Sequence, residues 1–175
     1  MSLRVAEVCS AADADLVLKL LERIDLQNVA PWFEQPHVRR WWDSGTGEIA
    51  SHLLEPHVAA YLIRDRGQPV GYLQLYHANP DDFWQAHTLP VETFGLDLFL
   101  GPPDALGRGL GVRSIRLALD HLRRQPGVAR IQTDPSPDNE RAIGTFARCG
   151  FRLAGTIETP DGPAAYMILD PREVR

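Results

Sequence analysis

One carboxylate stands inside an apolar run in this chain. Asp97 lies within Phe94–Leu100, read F-G-L-D-L-F-L, among large apolar side chains. A charge placed there is costly unless something pairs with it. Burial would also raise its pKa, which suits a group that must exchange a proton near neutral pH. A glycine-spaced loop follows, with Gly107, Gly109 and Gly111 in alternation, Arg108 inside it and Arg113 just beyond. From Gly111 to Arg124 the apolar residues Ile115, Ala118, Leu119 and Leu122 recur at helical spacing. Strand, glycine loop and helix in that order form an anion-binding device. Glycines let backbone N–H groups approach a phosphate closely, and a helix N-terminus adds partial positive charge.

Three phosphate-binding loops can be told apart by their residues. A nucleoside-triphosphate loop ends in Gly-Lys-Ser/Thr, where this chain has Gly111-Val112-Arg113-Ser114. A dinucleotide fingerprint needs G-x-G-x-x-G, which the three alternating glycines do not match. Leu106–Gly111, L-G-R-G-L-G, resembles the loop of the GNAT N-acetyltransferases, usually Gln/Arg-x-x-Gly-x-Gly/Ala, with Leu106 where that family has Gln or Arg. In the family this loop holds the pyrophosphate of acetyl-CoA. A plain glycine-rich connection is the competing reading of the loop taken alone.

The elements that would position these residues can be read in order. Leu3–Cys9 is expected as an edge strand and Ala12–Ile24 as an amphipathic helix with Leu16, Leu20 and Leu21 inward. An aromatic segment follows, Pro31–Phe33 and His37–Trp42, and then Thr46-Gly47-Glu48 precedes a helix through about Leu54. Val58–Arg64 and Val70–Tyr76 are expected strands, joined by the turn Asp65–Pro69. Asn79–Glu92 is a polar loop of a length that is usually functional or mobile. Beyond the glycine loop and its helix come a strand over Val128–Thr133 and a helix over Asp138–Cys149, stopped by Gly150. Phe151–Glu158 and Ala164–Leu169 close the chain as strands around the turn Thr159–Pro163.

That order, β-α-α-β-β-β-α-β-α-β-β, is the order of the GNAT fold. The resemblance sharpens from Ile131, where D-P-S-P-D-N-E-R-A-I (Asp134–Ile143) and T-P-D-G-P-A-A-Y-M (Thr159–Met167) are similar to the aminoglycoside 6'-N-acetyltransferases and to relatives that acetylate hydroxylamines in siderophore synthesis. It implies an α/β fold with a splayed central mixed sheet, a single domain over residues 1–175, acetyl-CoA as cofactor and a cationic amine as acceptor. In such enzymes the amine loses a proton and attacks the thioester carbonyl, and the leaving thiolate benefits from a proton donor.

Position by position, the resemblance makes Asp97 the base and places the cofactor on Leu98, Phe99 and Leu100, on Arg108, Gly109, Leu110, Gly111, Val112 and Arg113, and on Asn139. Asn139 could equally serve as a helix-start residue bonded to its own backbone. Around the acceptor it places Trp42, Gln74, Tyr76, Asp82, Trp84, Asp134 and Asp161. Carboxylates suit ammonium groups, and tryptophan faces add cation–π attraction. The bland alternatives are turn caps for Asp134 and Asp161, plain loop for Asp82, and core packing for Trp42, Tyr76 and Trp84. Two departures stand out. Phe146 occupies the position where the family helix carries a Tyr as the expected acid for the thiolate, so either another group such as Tyr166 acts or the thiolate leaves unaided. The Asn79–Glu92 loop lacks the family's acidic run after its tryptophans.

Composition limits the remaining choices. The chain has 175 residues and a net charge of −5, from 23 acidic and 18 basic residues, Lys19 being the one lysine. That balance argues against nucleic acid and for a cationic small molecule. No apolar run reaches a membrane span and no leader is evident, so a cytoplasmic protein, monomer or homodimer, is expected. Cys9 and Cys149 form no C-x-x-C pair, and the histidines show no H-E-x-x-H spacing, so no metal is assigned. Three functions compete: an acetyltransferase for an aminoglycoside-like polyamine, one for another small amine or hydroxylamine, and a module that binds acetyl-CoA without turnover.

Overall fold

Alternation governs the N-terminal segment. Along D-L-V-L-K-L, Leu16 and Leu18 are fully buried while Asp15 stays exposed, a period of two rather than 3.6. In the computed structural model, which describes residues 3–43, 45–85, 87 and 92–172, this segment is strand β2 (Asp13–Leu20), hairpinned to β1 (Glu7–Ser10). The expected helix over Ala12–Ile24 is therefore absent. Leu16 and Leu20 fit both periods while Leu21, in the core on the other face, fits the helical one alone, and the decision comes from a long-range partner. Strand β3 (Val58–Asp65) runs antiparallel to β2, with Leu16 opposite Asp65 and Leu20 opposite Tyr61.

Short helices fill the connection between them: α1 (Leu26–Val29), α2 (Pro36–Arg39) and α3 (Gly45–His52). Their buried residues Val29, Val38 and Ile49, with Trp32 and Phe33 of the 3-10 turn Ala30–Glu34, pack on Leu62, Tyr72 and Phe99 to form the core on one face of the sheet. Strand β4 (Gln68–His77) pairs with β3, helix α4 (Asp82–Gln85) lies in the polar loop, and β5 (Thr93–Leu100) returns beside β4. Residues 86 and 88–91 of the expected Asn79–Glu92 loop lie outside the described residues. Helix α5 (Leu110–Arg123) then buries Leu110, Ile115, Leu117, Ala118, Leu119 and Leu122 against Phe94 and Leu96 on the other face. Strand β6 (Arg130–Thr133), helix α6 (Glu140–Ala147) and the hairpin of β7 (Arg152–Thr159) with β8 (Gly162–Leu169) complete the chain.

The result is one eight-stranded mixed sheet in the order β1-β2-β3-β4-β5-β6-β8-β7, with helices on both faces. Among the described residues no helix is long and apolar enough to cross a membrane. One junction matters for function. Strand β5 follows β4 as far as the pair Gly71–Leu100, yet it meets β6 only at Thr93–Arg130, Phe94–Ile131 and Gly95–Gln132. Beyond Gly95 the two parallel strands diverge. The sheet is split beside Asp97.

Candidate active site

Strand alternation puts Tyr72, Gln74 and Tyr76 of β4 on the same face as Phe99, Asp97 and Gly95 of β5, each pair directly opposite. Gln74 Nε2 donates to Asp97 Oδ2 at 3.0 Å, and Thr133 Oγ1 reaches Asp97 Oδ1 at 3.5 Å across the split. Tyr72 donates its hydroxyl hydrogen to Gln74 Oε1 at 2.9 Å, which fixes the amide so that its NH₂ faces Asp97. His52 Nδ1 lies 3.4 Å from the Tyr72 oxygen and extends this chain to the cleft mouth. Burial pushes the Asp97 carboxyl up to about 6, opposed by the bonds from Gln74 and Thr133. Asp134 is pushed up to about 7 by burial, with the charges of Asp97 and Asp161 adding to it.

These groups open on a cleft of about 920 Å³. Trp42, Gln74, Tyr76, Trp84, Asp97, Leu98, Asp134, Asn139, Phe146 and Asp161 all line it. Trp42 is half-buried with its ring 5.0 Å from Phe99, and Trp84 is anchored 5.8 Å from the Tyr166 ring, so both tryptophans serve wall and packing at once. Asp161 is exposed at the β7–β8 turn. Asp82 is placed elsewhere: it stands exposed at the start of α4, while Asp81 lines the cleft. Asp81 Oδ1 accepts the N–H groups of Phe83 and Trp84, at 2.9 and 3.1 Å, and so sets the helix that carries Trp84.

Tyr166 is not brought to the cleft wall. Its hydroxyl donates to Gln132 Oε1 at 2.8 Å, its ring backs Trp84, and burial pushes its pKa up. Phe146, by contrast, lines the cleft at 4% exposure, packed edge-on against Phe151. A hydroxyl tied to Gln132 behind Trp84 holds the acceptor wall rather than facing the ring of Phe146.

The opposite side of the split fits a phosphorylated cofactor with an extended arm. Gly101 N–H donates to Val70 O at 3.0 Å, so strand alternation turns the peptide groups of Leu98 and Leu100 away from β4, toward the open side. The Leu100 carbonyl is taken by His37 Nε2 at 3.0 Å, which must therefore carry a hydrogen. Phe99 points its ring into the aromatic core instead. At the end of the strand, Gly107 and Gly109 adopt φ of 77° and 75°, a left-handed conformation that only glycine takes without strain. Gly109 is the N-cap of α5, with no side-chain cap and no acidic residue in the first turn, so the N–H groups of Leu110, Gly111 and Val112 present a cradle for an anion. At Gly111 a Cβ would lie 3.4 Å from Thr145 Cγ2, an ordinary contact, so the packing of α5 on α6 does not itself require glycine there. Arg108 and Arg113 flank the cradle, paired with Asp65 and Asp13. Asn139 caps α6 by accepting the Ala142 N–H at 3.1 Å. It is a helix-start residue that also lines the cleft.

Residues 22–159 match the acetyltransferase (GNAT) domain family. The aminoglycoside N(6')-acetyltransferase type 1 of Klebsiella pneumoniae is 34% identical over 92% of this chain and 86% of its own length. This chain belongs to the GNAT acetyltransferases. The crystal structure of the aminoglycoside acetyltransferase AAC(6')-Ib with coenzyme A and kanamycin superposes with a TM-score of 0.82 at 35% identity, over 90% of this chain and 95% of that one. The lysine N-acyltransferase MbtK of Mycolicibacterium paratuberculosis is 27% identical over 90% of this chain and 75% of its own length.

The acetyltransferase uses acetyl-CoA, which supplies a thioester carbonyl for an amine to attack. Its own residues then divide the work. Sequence reasoning missed Gln132, Thr133 and Asp81, and with them the Tyr72–His52 extension. Gln132 carried a faint signal, a polar residue inside the apolar start of I-Q-T-D-P-S-P, but which side chain it meets depends on the register of β8.

Proposed function

We propose that this acetyltransferase acetylates a primary amine of an aminoglycoside-like polyamine, by direct attack within a ternary complex. Asp97 binds the reacting ammonium and takes its proton, with Gln74 and Thr133 fixing the carboxylate toward the cleft. Asp134 and Asp161 meet further ammonium groups, while Trp42, Tyr76 and Trp84 cover the apolar faces of the sugars. The peptide groups of Leu98 and the N–H of Leu100 hold the cofactor's arm, and the Leu106–Val112 loop holds its phosphates. With Phe146 in the wall, the departing thiolate takes its proton from solvent or from the acceptor's own ammonium. The observation that carries this reading is the half-buried Asp97 at the split of the sheet, facing a cleft lined by further carboxylates, Asp134 and Asp161 among them, and by three aromatic walls. The partner is thus a small cation rather than nucleic acid or a membrane, met by a cytoplasmic monomer or homodimer.

A smaller amine or hydroxylamine is the second reading, supported by the likeness to the lysine N-acyltransferase. Thiol release from acetyl-CoA separates the two. The test uses paired aminoglycosides carrying an amine or a hydroxyl at the 6' position, beside a small mono-amine. Release with the 6'-amine alone is expected; release with the mono-amine alone hands the case to the second reading.

A further inference from the structure

Both cations of the glycine loop are already engaged. Arg108 Nη2 donates to Asp65 Oδ2 at 2.6 Å, and Arg113 grips Asp13 through two bonds of 2.6 Å each. Arg113 Nη1 also stands 3.6 Å from Asp65 Oδ1, which joins the four side chains into one cluster. Two guanidinium and two carboxylate groups carry no net charge together. In this arrangement the arginines add little to the attraction that the glycine N–H groups and the α5 N-terminus hold for a phosphate.

The two carboxylates are not equivalent. Asp65, at the end of β3, is 5% exposed, and stripping its cation away would leave a buried charge uncompensated. Asp13, at the start of β2, is half-exposed beside a half-exposed Arg113, and water readily replaces a partner there. A guanidinium fork that fits a carboxylate in two bonds fits a phosphate equally well. We propose that Asp13 is a displaceable counter-ion, which holds Arg113 beside the cofactor loop and yields it to the phosphate groups of coenzyme A, while Asp65 stays and orients Arg108. Asp13 and Asp65 are positioning residues that set cofactor affinity from outside the cradle. The proposal rests on the reading of the Leu106–Val112 loop as the phosphate cradle.

Calorimetry with coenzyme A on the full chain, without acceptor, tests it. Asp13→Asn should tighten binding about three- to tenfold, by removing the competitor for one charge-assisted contact. Arg113→Ala should weaken binding, and Asp13→Asn should bring no gain in that background. Asp65→Asn should weaken binding by releasing Arg108. Acetylpantetheine, which lacks every phosphate, should bind the wild type and Asp13→Asn alike. Coenzyme A binding that Asp13→Asn leaves unchanged or weakens overturns the counter-ion role and leaves the cradle standing. Equal effects on coenzyme A and acetylpantetheine reduce Asp13 to a fold contact and overturn it too. A wild type that binds no coenzyme A removes both the cradle and the proposal.

Discussion

At the scale of residues, Asp97 is held by Gln74 and Thr133 and half-buried in the cleft wall, and both facts have measurable consequences. Asp97→Asn should cut kcat/KM by about 10- to 150-fold, since a charged hydrogen bond to the acceptor is lost, and should lower kcat as well as raise KM. The same substitution should stabilise the fold at neutral pH. The folded carboxyl is raised from 3.8 to about 6, so between those values the folded state holds a proton that the unfolded chain releases. Stability therefore falls as pH rises through that window, and the cost persists above it. Thermal melting should show Asp97→Asn gaining on the wild type at pH 7.5, with the gap closing by pH 4; a gap that widens on acidification contradicts the burial argument. Tyr166→Phe removes the bond to Gln132 and loosens the support of Trp84. Steady-state kinetics should give a higher acceptor KM with kcat and its alkaline limb unchanged; a lost alkaline limb would restore Tyr166 as the acid. Asp97, Gln74 and the tryptophans were legible from their motifs. Asp81 and Asp82 were not separable in advance, because adjacent acids at a helix start differ only in which one bonds the backbone.

At the scale of elements, the split between β5 and β6 makes the site. Three backbone pairs join those strands and then end, so the Leu98 peptide groups and the Leu100 N–H face the opening, while the Leu100 carbonyl is held by His37. The strand–loop–helix unit could be read directly, because the apolar stripe of α5 and the glycines before it are local signals. Strand β2 could not, since Leu16 and Leu20 satisfy two periods and only pairing with β3 chooses between them. Gly95 is the sharpest test of the β4–β5 register. Tyr76 lies directly across from it, and a Cβ at Gly95 would collide with the Tyr76 ring. Gly95→Ala should cost about 1–3 kcal/mol in denaturant unfolding, the range for overpacked sites, and should raise the acceptor KM because Tyr76 must leave its place in the cleft wall. An unaltered midpoint and KM would mean that Tyr76 does not rest over the glycine.

At the scale of the whole molecule, the sheet divides the labour between its two faces. The α5–α6 side carries the loop and helix N-terminus suited to phosphate, and the α1–α3 side carries the carboxylates and aromatics suited to a cation. They meet at Asp97 and Leu98, where the strands part. The order of elements from β3 onward and the family strings made this plan legible early, whereas the pairing of Arg108 and Arg113 with Asp65 and Asp13 joins residues far apart in sequence and was not. The plan makes one central claim: an acetyl group carried on one side is delivered to a polycationic amine on the other. Nuclear magnetic resonance of the product tests it most directly, using ¹³C-acetyl-CoA and an aminoglycoside with several amines. The account predicts a single labelled acetyl group on the 6' nitrogen. Label on no aminoglycoside nitrogen, while the same preparation acetylates a small mono-amine, would contradict it.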